Sequence, residues 1–181
     1  MATVYWVTGL SGAGKTTIGK KWYEELKRSY DNVVLLDGDE LRQVFGNDLG
    51  YTKEDRLKSA MRNARLCKML GEQDIHVVCC TISMFDEVRE WNRNNIADYV
   101  EIYVKVSMEV LHERDQKNLY TKAKVGQEED LAGITFQVEE PKCPDLVLGN
   151  NGEFTPEEQV NKIKEFIISK ENNGNNDSNK I

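Results

Sequence analysis

Residues Gly9 to Thr16, reading GLSGAGKT, constrain this chain more than any other stretch. They satisfy G-x-x-x-x-G-K-[ST] at every fixed position. The glycines let backbone N–H groups turn inward onto phosphate oxygens, and a helix N-terminus behind the loop adds positive potential. Such a loop needs a strand before it and a helix after it, and both flanks comply. TVYWVT, Thr3 to Thr8, is rich in β-branched and aromatic residues and reads as a strand. Lys15 to Tyr30 reads as the helix that follows. The expected phosphate-binding residues are Gly9, Ser11, Gly12, Ala13, Gly14, Lys15, Thr16 and Thr17. Lys15 would reach the β- and γ-phosphates and the Thr16 hydroxyl would ligate magnesium. A nucleoside triphosphate with Mg2+ is therefore expected, and the loop is silent about the acceptor.

The rest of the chain alternates in the same way. Val33–Leu36, Ile75–Ile82, Val100–Val106 and Leu146–Leu148 read as further strands. Lys53–Leu70, Asp86–Asp98 and a segment ending at Arg114 read as helices. Thr155-Pro156-Glu157-Glu158 is a capping box with proline at the first helical position, opening a helix to about Ser169. Strands alternating with helices predict an α/β fold, a P-loop NTPase-type parallel sheet with helices on both faces. Residues 115–142 fit neither period and are rich in Lys, Glu and Gly, so a mobile, partly helical lid is expected there. Residues 1–170 form one kinase-sized domain in this reading, and 171–181 a polar, disordered tail.

At the end of the second strand stands LDGDELR, Leu36 to Arg42. In an extended strand end, residues two apart point the same way, which would turn Asp37 and Asp39 together toward the phosphate loop. Open α/β sheets bind their ligands at this carboxyl edge. A kinase acting on a hydroxyl has two acidic tasks there, holding magnesium and orienting the acceptor. Asp37 is assigned the first and Asp39 the second, with exchange of the two left open. Arg42, one turn further, is placed to grip an anionic group on the acceptor.

Composition narrows the class. With 181 residues and a formal charge of −7, the chain lacks the basic surface that general nucleic-acid binding favours. No run of 18 apolar residues marks a membrane span, and the first residues lack a signal-peptide pattern. Four cysteines show no C-x-x-C spacing, so a reduced, cytoplasmic protein is expected. The two histidines, His76 and His112, are too isolated for a metal pair, and Trp6, Trp22 and Trp91 read as packing residues. A GTPase would carry N-K-x-D, which is absent, and a motor or transport ATPase would bring more chain. The length and the late lid suit a small-molecule kinase.

At these residues the chain resembles the adenylylsulfate kinase family, which phosphorylates the ribose 3′-hydroxyl of adenosine 5′-phosphosulfate with ATP. The resemblance runs from Tyr5 to about Ile167. It rests on WVTGLSGAGKTT, LDGDELR, LGYTKEDR, ISMF, RDQKNLYTKAK and AGI near Gly133. It implies that the DGD pair serves magnesium and the acceptor hydroxyl, and that Arg42 and Arg56 contact the phosphate-bearing end of the acceptor. It places Tyr51 under the acceptor base and Ile82 and Ser83 in the acceptor pocket. Lys117, Leu119, Tyr120 and Lys122 would belong to the lid, and Arg114 would lie near the donor adenine. A homodimer is the family expectation.

The departures from the family pattern gather on the acceptor side. Ser59 stands where an asparagine is usual, and Met61 where the first of two arginines is usual. I-S-P-Y-R becomes Ile82-Ser83-Met84-Phe85-Asp86, and F-T-G-I-D becomes Leu131-Ala132-Gly133-Ile134-Thr135. Losing an aromatic partner at Leu131 removes a base-stacking contact worth about 1–3 kcal/mol by analogy with single-strand binding. The changed acceptor that fits best is that of the cytidine diphosphoramidate kinases, which resemble adenylylsulfate kinases, are associated with bacterial capsule modification and also act on a ribose 3′-hydroxyl. Their acceptor has a pyrimidine and an amidated diphosphate. A true adenylylsulfate kinase serving sulfate activation is the alternative. A nonenzymatic ATP sensor is a remoter one, since a sensor needs no acceptor base such as Asp39.

Overall fold

The computed structural model describes residues 2–114 and 137–177, with side chains as far as Asn172. Five parallel strands form one sheet among them: β1 (Val4–Thr8), β2 (Val33–Asp37), β3 (His76–Thr81), β4 (Tyr99–Lys105) and β5 (Leu146–Gly149). Their order is β2-β3-β1-β4-β5. The chain leaves β1 toward one edge, returns through β3 and then crosses to β4. The order therefore reverses around β1, and the crevice at its carboxyl end is where such sheets bind ligands.

The helices are α1 (Lys15–Leu26), α2 (Gly38–Val44), α3 (Lys53–Glu72), α4 (Asp86–Asn95), α5 (Met108–Arg114) and α6 (Pro156–Asp177). Alternation along the strands sends side chains to two separate cores. Tyr5, Val7, Val78, Cys80, Ile102 and Val104 face α1 and α6, meeting Ile18, Trp22 and Ile163. Val4, Trp6, Val77 and Cys79 face the other way, against Ala60, Ala64 and Cys67 of α3 and Val88 of α4. A Cβ at Gly19 would run into the Cys80 sulfur, so this glycine lets α1 lie close on β3.

Element order follows the expectation, and the differences lie at ends. Helix α1 stops at Leu26, where tight turns through Ser29 close it before the predicted Tyr30. Helix α4 stops at Asn95 because Ile96 turns to an extended conformation and is buried in the core. Helix α6 runs past Ser169 to Asp177, carried over the edge of the sheet by an ion pair from Lys170 to Asp98 at 2.9 Å. Helix α2 has no counterpart in the sequence reading. No helix among the described residues is long and apolar enough to cross a membrane.

Candidate active site

The loop after β1 is built for anions. Gly9, Gly12 and Gly14 all have positive φ, at 152°, 78° and 95°. Gly14 is the N-cap of α1, and a Cβ there would meet Asn150 Nδ2 at 2.6 Å. Asn150 donates from that Nδ2 to the Ala13 carbonyl at 2.7 Å, and its own carbonyl accepts from Arg114 at 2.7 Å. The turn after β5 thus braces both the glycine loop and Arg114, the residue expected at the donor adenine. Thr17 is exposed on the first turn of α1.

Lys15 is buried and donates to the Leu10 carbonyl at 2.7 Å. Burial pushes its ammonium down to about 8, only partly offset by Cys80, Asp39 and Asp37 nearby. The cation is held against the loop with little water around it, which strengthens its pull on a phosphate.

The two aspartates are placed differently from the sequence argument. Asp37 ends β2 and is the N-cap of α2, accepting from the Asp39 backbone N–H at 2.9 Å. Asp39 belongs to the first turn of that helix. The two carboxylates are therefore not paired by strand alternation; a helix start separates them. Asp37 Oδ2 accepts from the Thr16 hydroxyl at 2.7 Å, setting two hard oxygens side by side at the end of the phosphate loop. That pair fits magnesium, which takes one or two protein oxygens and fills its octahedron with water and phosphate. Among the described residues no group of three or more His, Cys, Asp and Glu stands ready to hold a metal alone.

Asp39 opens instead into a cavity of about 60 Å³ shared with Arg42, Arg56, Ser59, Asn63, Thr81, Ile82 and Ser83. Helices α2 and α3 form its outer wall and the end of β3 its floor. Arg42 donates to the carbonyls of Leu49 and Gly50 at 2.7 and 2.9 Å, and its guanidinium lies 4.4 Å from the Tyr51 ring. Arg56 donates to the Tyr51 carbonyl at 2.8 Å and lies 5.2 Å from the same ring. Tyr51 itself is 56% exposed. Thr8 donates to the Ile82 carbonyl at 2.7 Å, fixing the segment that follows β3.

Lys117, Leu119, Tyr120, Lys122 and Leu131 lie outside the described residues. Asp86, flagged by its reversed charge, does not line the cavity. It opens α4, where it accepts from Arg89 and from Lys142 at 2.8 Å and so ties segment 139–142 down. Sequence reasoning missed Asn63, Thr81 and Asn150. Asn63 carried a signal, because a polar residue one turn after Ser59 falls on the helix face that also bears Ala60. Asn150 carried none, since its partner lies across the sheet. It also missed buried Glu101, which pairs with the exposed Arg93 at 2.8 Å and which buried Arg89 approaches at 3.6 Å.

A larger cavity of about 490 Å³ opens at the opposite edge of the sheet, between Trp22, Tyr30, His76, Asp98 and Ile168. It contains neither the glycine loop nor Asp37 and Asp39.

Residues 1–149 match the sequence model of the family described as Adenylylsulphate kinase. A cytidine diphosphoramidate kinase of Campylobacter jejuni is 41% identical over 167 residues, which cover 92% of this chain and 95% of that one. An adenylyl-sulfate kinase of Halothermothrix orenii is also 41% identical, over 165 residues covering 91% and 89%. Among solved structures, the APS kinase of Mycobacterium tuberculosis in complex with AMPPNP and APS has a TM-score of 0.83 at 28% identity, covering 92% of this chain and 97% of that one.

Proposed function

The chain belongs to the adenylylsulphate kinase family, and from that premise we propose that it uses ATP to phosphorylate the ribose 3′-hydroxyl of cytidine diphosphoramidate. It is a phosphotransferase with a hydroxyl acceptor. The observation that carries the reading is the meeting of Asp39, Arg42, Arg56 and Ser83 in one cavity at the sheet edge where Lys15 emerges. The Campylobacter jejuni relative names the acceptor, and the acceptor-side departures at Ser59 and Leu131 agree with it.

ATP sits on the glycine loop in this reading, its base toward Arg114. Magnesium held at Thr16 and Asp37 would neutralise charge on the β- and γ-phosphates. Asp39 orients the 3′-hydroxyl and takes its proton as the oxygen attacks the γ-phosphorus in line. Lys15 takes up charge on the moving phosphoryl, and the bond to the β-phosphate oxygen breaks with ADP as the leaving group. Arg42 and Arg56 hold the acceptor's phosphate end, and Tyr51 stacks on its base. A lid of the kind the sequence leads one to expect over residues 115–142, with Lys117, Leu119 and Leu131, would keep out water that otherwise takes the phosphoryl group. The protein works in the cytoplasm and pairs as a homodimer.

Adenosine 5′-phosphosulfate is the second reading, favoured by the equal identity to the Halothermothrix orenii enzyme. Paired assays with Mg-ATP decide between them. The cytidine compound is expected to show the larger kcat/KM, and Asp39→Asn to lower it about 10²–10⁴-fold, the usual contribution of a general base. A preference for the sulfate would place the chain in sulfate activation. Turnover of neither would remove the acceptor assignment.

A further inference from the structure

Two buried polar atoms in the acceptor cavity have no partner among the described residues, the side-chain oxygen Oδ1 of Asn63 and the hydroxyl Oγ of Ser83. Asn63 is 2% exposed and Ser83 4%, so neither atom is served by bulk solvent. Buried side-chain polar atoms are nearly always hydrogen-bonded, and each exception calls for a reason. These two come from separate elements, the middle of α3 and the segment after β3, and converge on one space. Asparagine is also a poor choice in a helix interior, where its side chain competes for backbone groups. Its position here is not explained by the helix.

Both atoms line the cavity of about 60 Å³ described above. Arg42 and Arg56 stand at the same cavity and supply the charge for an anion. Tyr51, the expected base platform, is not among the residues that line it.

We propose that Asn63 and Ser83 together read the terminal group of the acceptor, with Asn63 Oδ1 accepting an N–H and the Ser83 hydroxyl donating to an oxygen. This rests on the kinase reading above and deepens it by naming how the acceptor is chosen. An amidated phosphate offers both an N–H donor and oxygen acceptors and satisfies the pair. A sulfate or an unmodified terminal phosphate at neutral pH offers oxygens alone and leaves the asparagine oxygen facing another acceptor. Asn63 is thus a specificity-determining residue, and its position in the sequence lies one turn beyond the Ser59 departure.

The test uses the whole chain with Mg-ATP and three acceptors: cytidine diphosphoramidate, cytidine diphosphate and adenosine 5′-phosphosulfate. The wild type is expected to favour the amide over the diphosphate by about tenfold to a hundredfold in kcat/KM, the effect of one buried hydrogen bond near a charge. This comparison needs no variant, so it stands even if a substitution fails to fold. Asn63→Leu is expected to erase that ratio mainly through KM for the amide, with Mg-ATP binding measured separately by calorimetry as the check on folding. Ser83→Ala is expected to weaken all three acceptors and leave the ratio unchanged. Equal use of amide and diphosphate by the wild type would overturn the assignment while leaving the kinase reading intact. So would an Asn63→Leu enzyme with the wild-type ratio. Failure of the wild type on every acceptor would instead sink the acceptor reading itself.

Discussion

Lys15 links the chemistry of the site to pH. Burial lowers its pKa from 10.5 to about 8 in the empty protein, so above pH 8 the free loop loses its cation. A bound triphosphate requires the charged form and raises the pKa again. Affinity for Mg-ATP is therefore fully present below pH 8 and falls as pH rises through it, approaching about tenfold per pH unit. Calorimetry from pH 7 to pH 9.5 in two buffers of different ionisation enthalpy would read both the slope and the proton uptake. A flat affinity over that range would mean that Lys15 stays charged in the free protein. The sign for stability is opposite: the unfolded chain binds this proton more tightly, so Lys15 lets the empty fold gain stability between pH 8 and 10.5.

Helix α3 is the element on which the acceptor side depends, because it carries Arg56, Ser59 and Asn63 on successive turns. Thr52 starts it. The Thr52 hydroxyl accepts from the Asp55 backbone N–H at 3.2 Å and donates to the Asp55 carboxylate at 3.0 Å. Thr52→Ala should cost about 1 kcal/mol, the usual loss of an N-cap. A chain of this size would then melt about 2–4 °C lower. The first turn of α3 bears Arg56, so KM for the acceptor should rise while KM for ATP, bound on the β1–α1 loop, stays put. Equal changes in both constants would show that α3 does not act separately from the phosphate loop. The same helix shows how legible an element is. Its length was readable in Lys53 to Leu70, whereas α2 was not, since GDELRQV spans only two turns and looks like a polar link between better-patterned segments.

For the whole molecule, the two-sided packing of the sheet decides which side chains meet water. Cys79 and Cys80 are neighbours in sequence but point into opposite cores, Cys79 toward Cys67 on α3 and Cys80 toward α1. A hydrogen bond with Cys67, together with burial, raises the Cys79 thiol well above its ordinary range, and burial lifts Cys80 to about 12. Cys143 alone among the four is exposed. A thiol reagent at pH 8 should therefore modify Cys143 rapidly and the other three only as the protein unfolds, which mass spectrometry of the timed reaction would count. Rapid loss of a second thiol in the folded protein would show that one of the cores opens locally. Arg89 and Glu101 are buried as well, and the exposed Arg93 reaches Glu101 at 2.8 Å.

The sequence by itself determined the phosphate loop, the alternation of strands and helices, and the class of reaction. Each is a local pattern: glycine spacing with its lysine and threonine, apolar runs of strand length, and an acidic turn after the second strand. Tertiary structure alone decided how the acidic turn is shaped. Asp37 ends the strand and Asp39 stands in the first turn of a helix that begins between them and buries Leu41. It alone brought Asn63 of α3 beside Ser83 at the end of β3, and Asn150 onto the glycine loop. Those meetings depend on the order of strands in the sheet and on the face each helix buries, and no spacing along the chain encodes them.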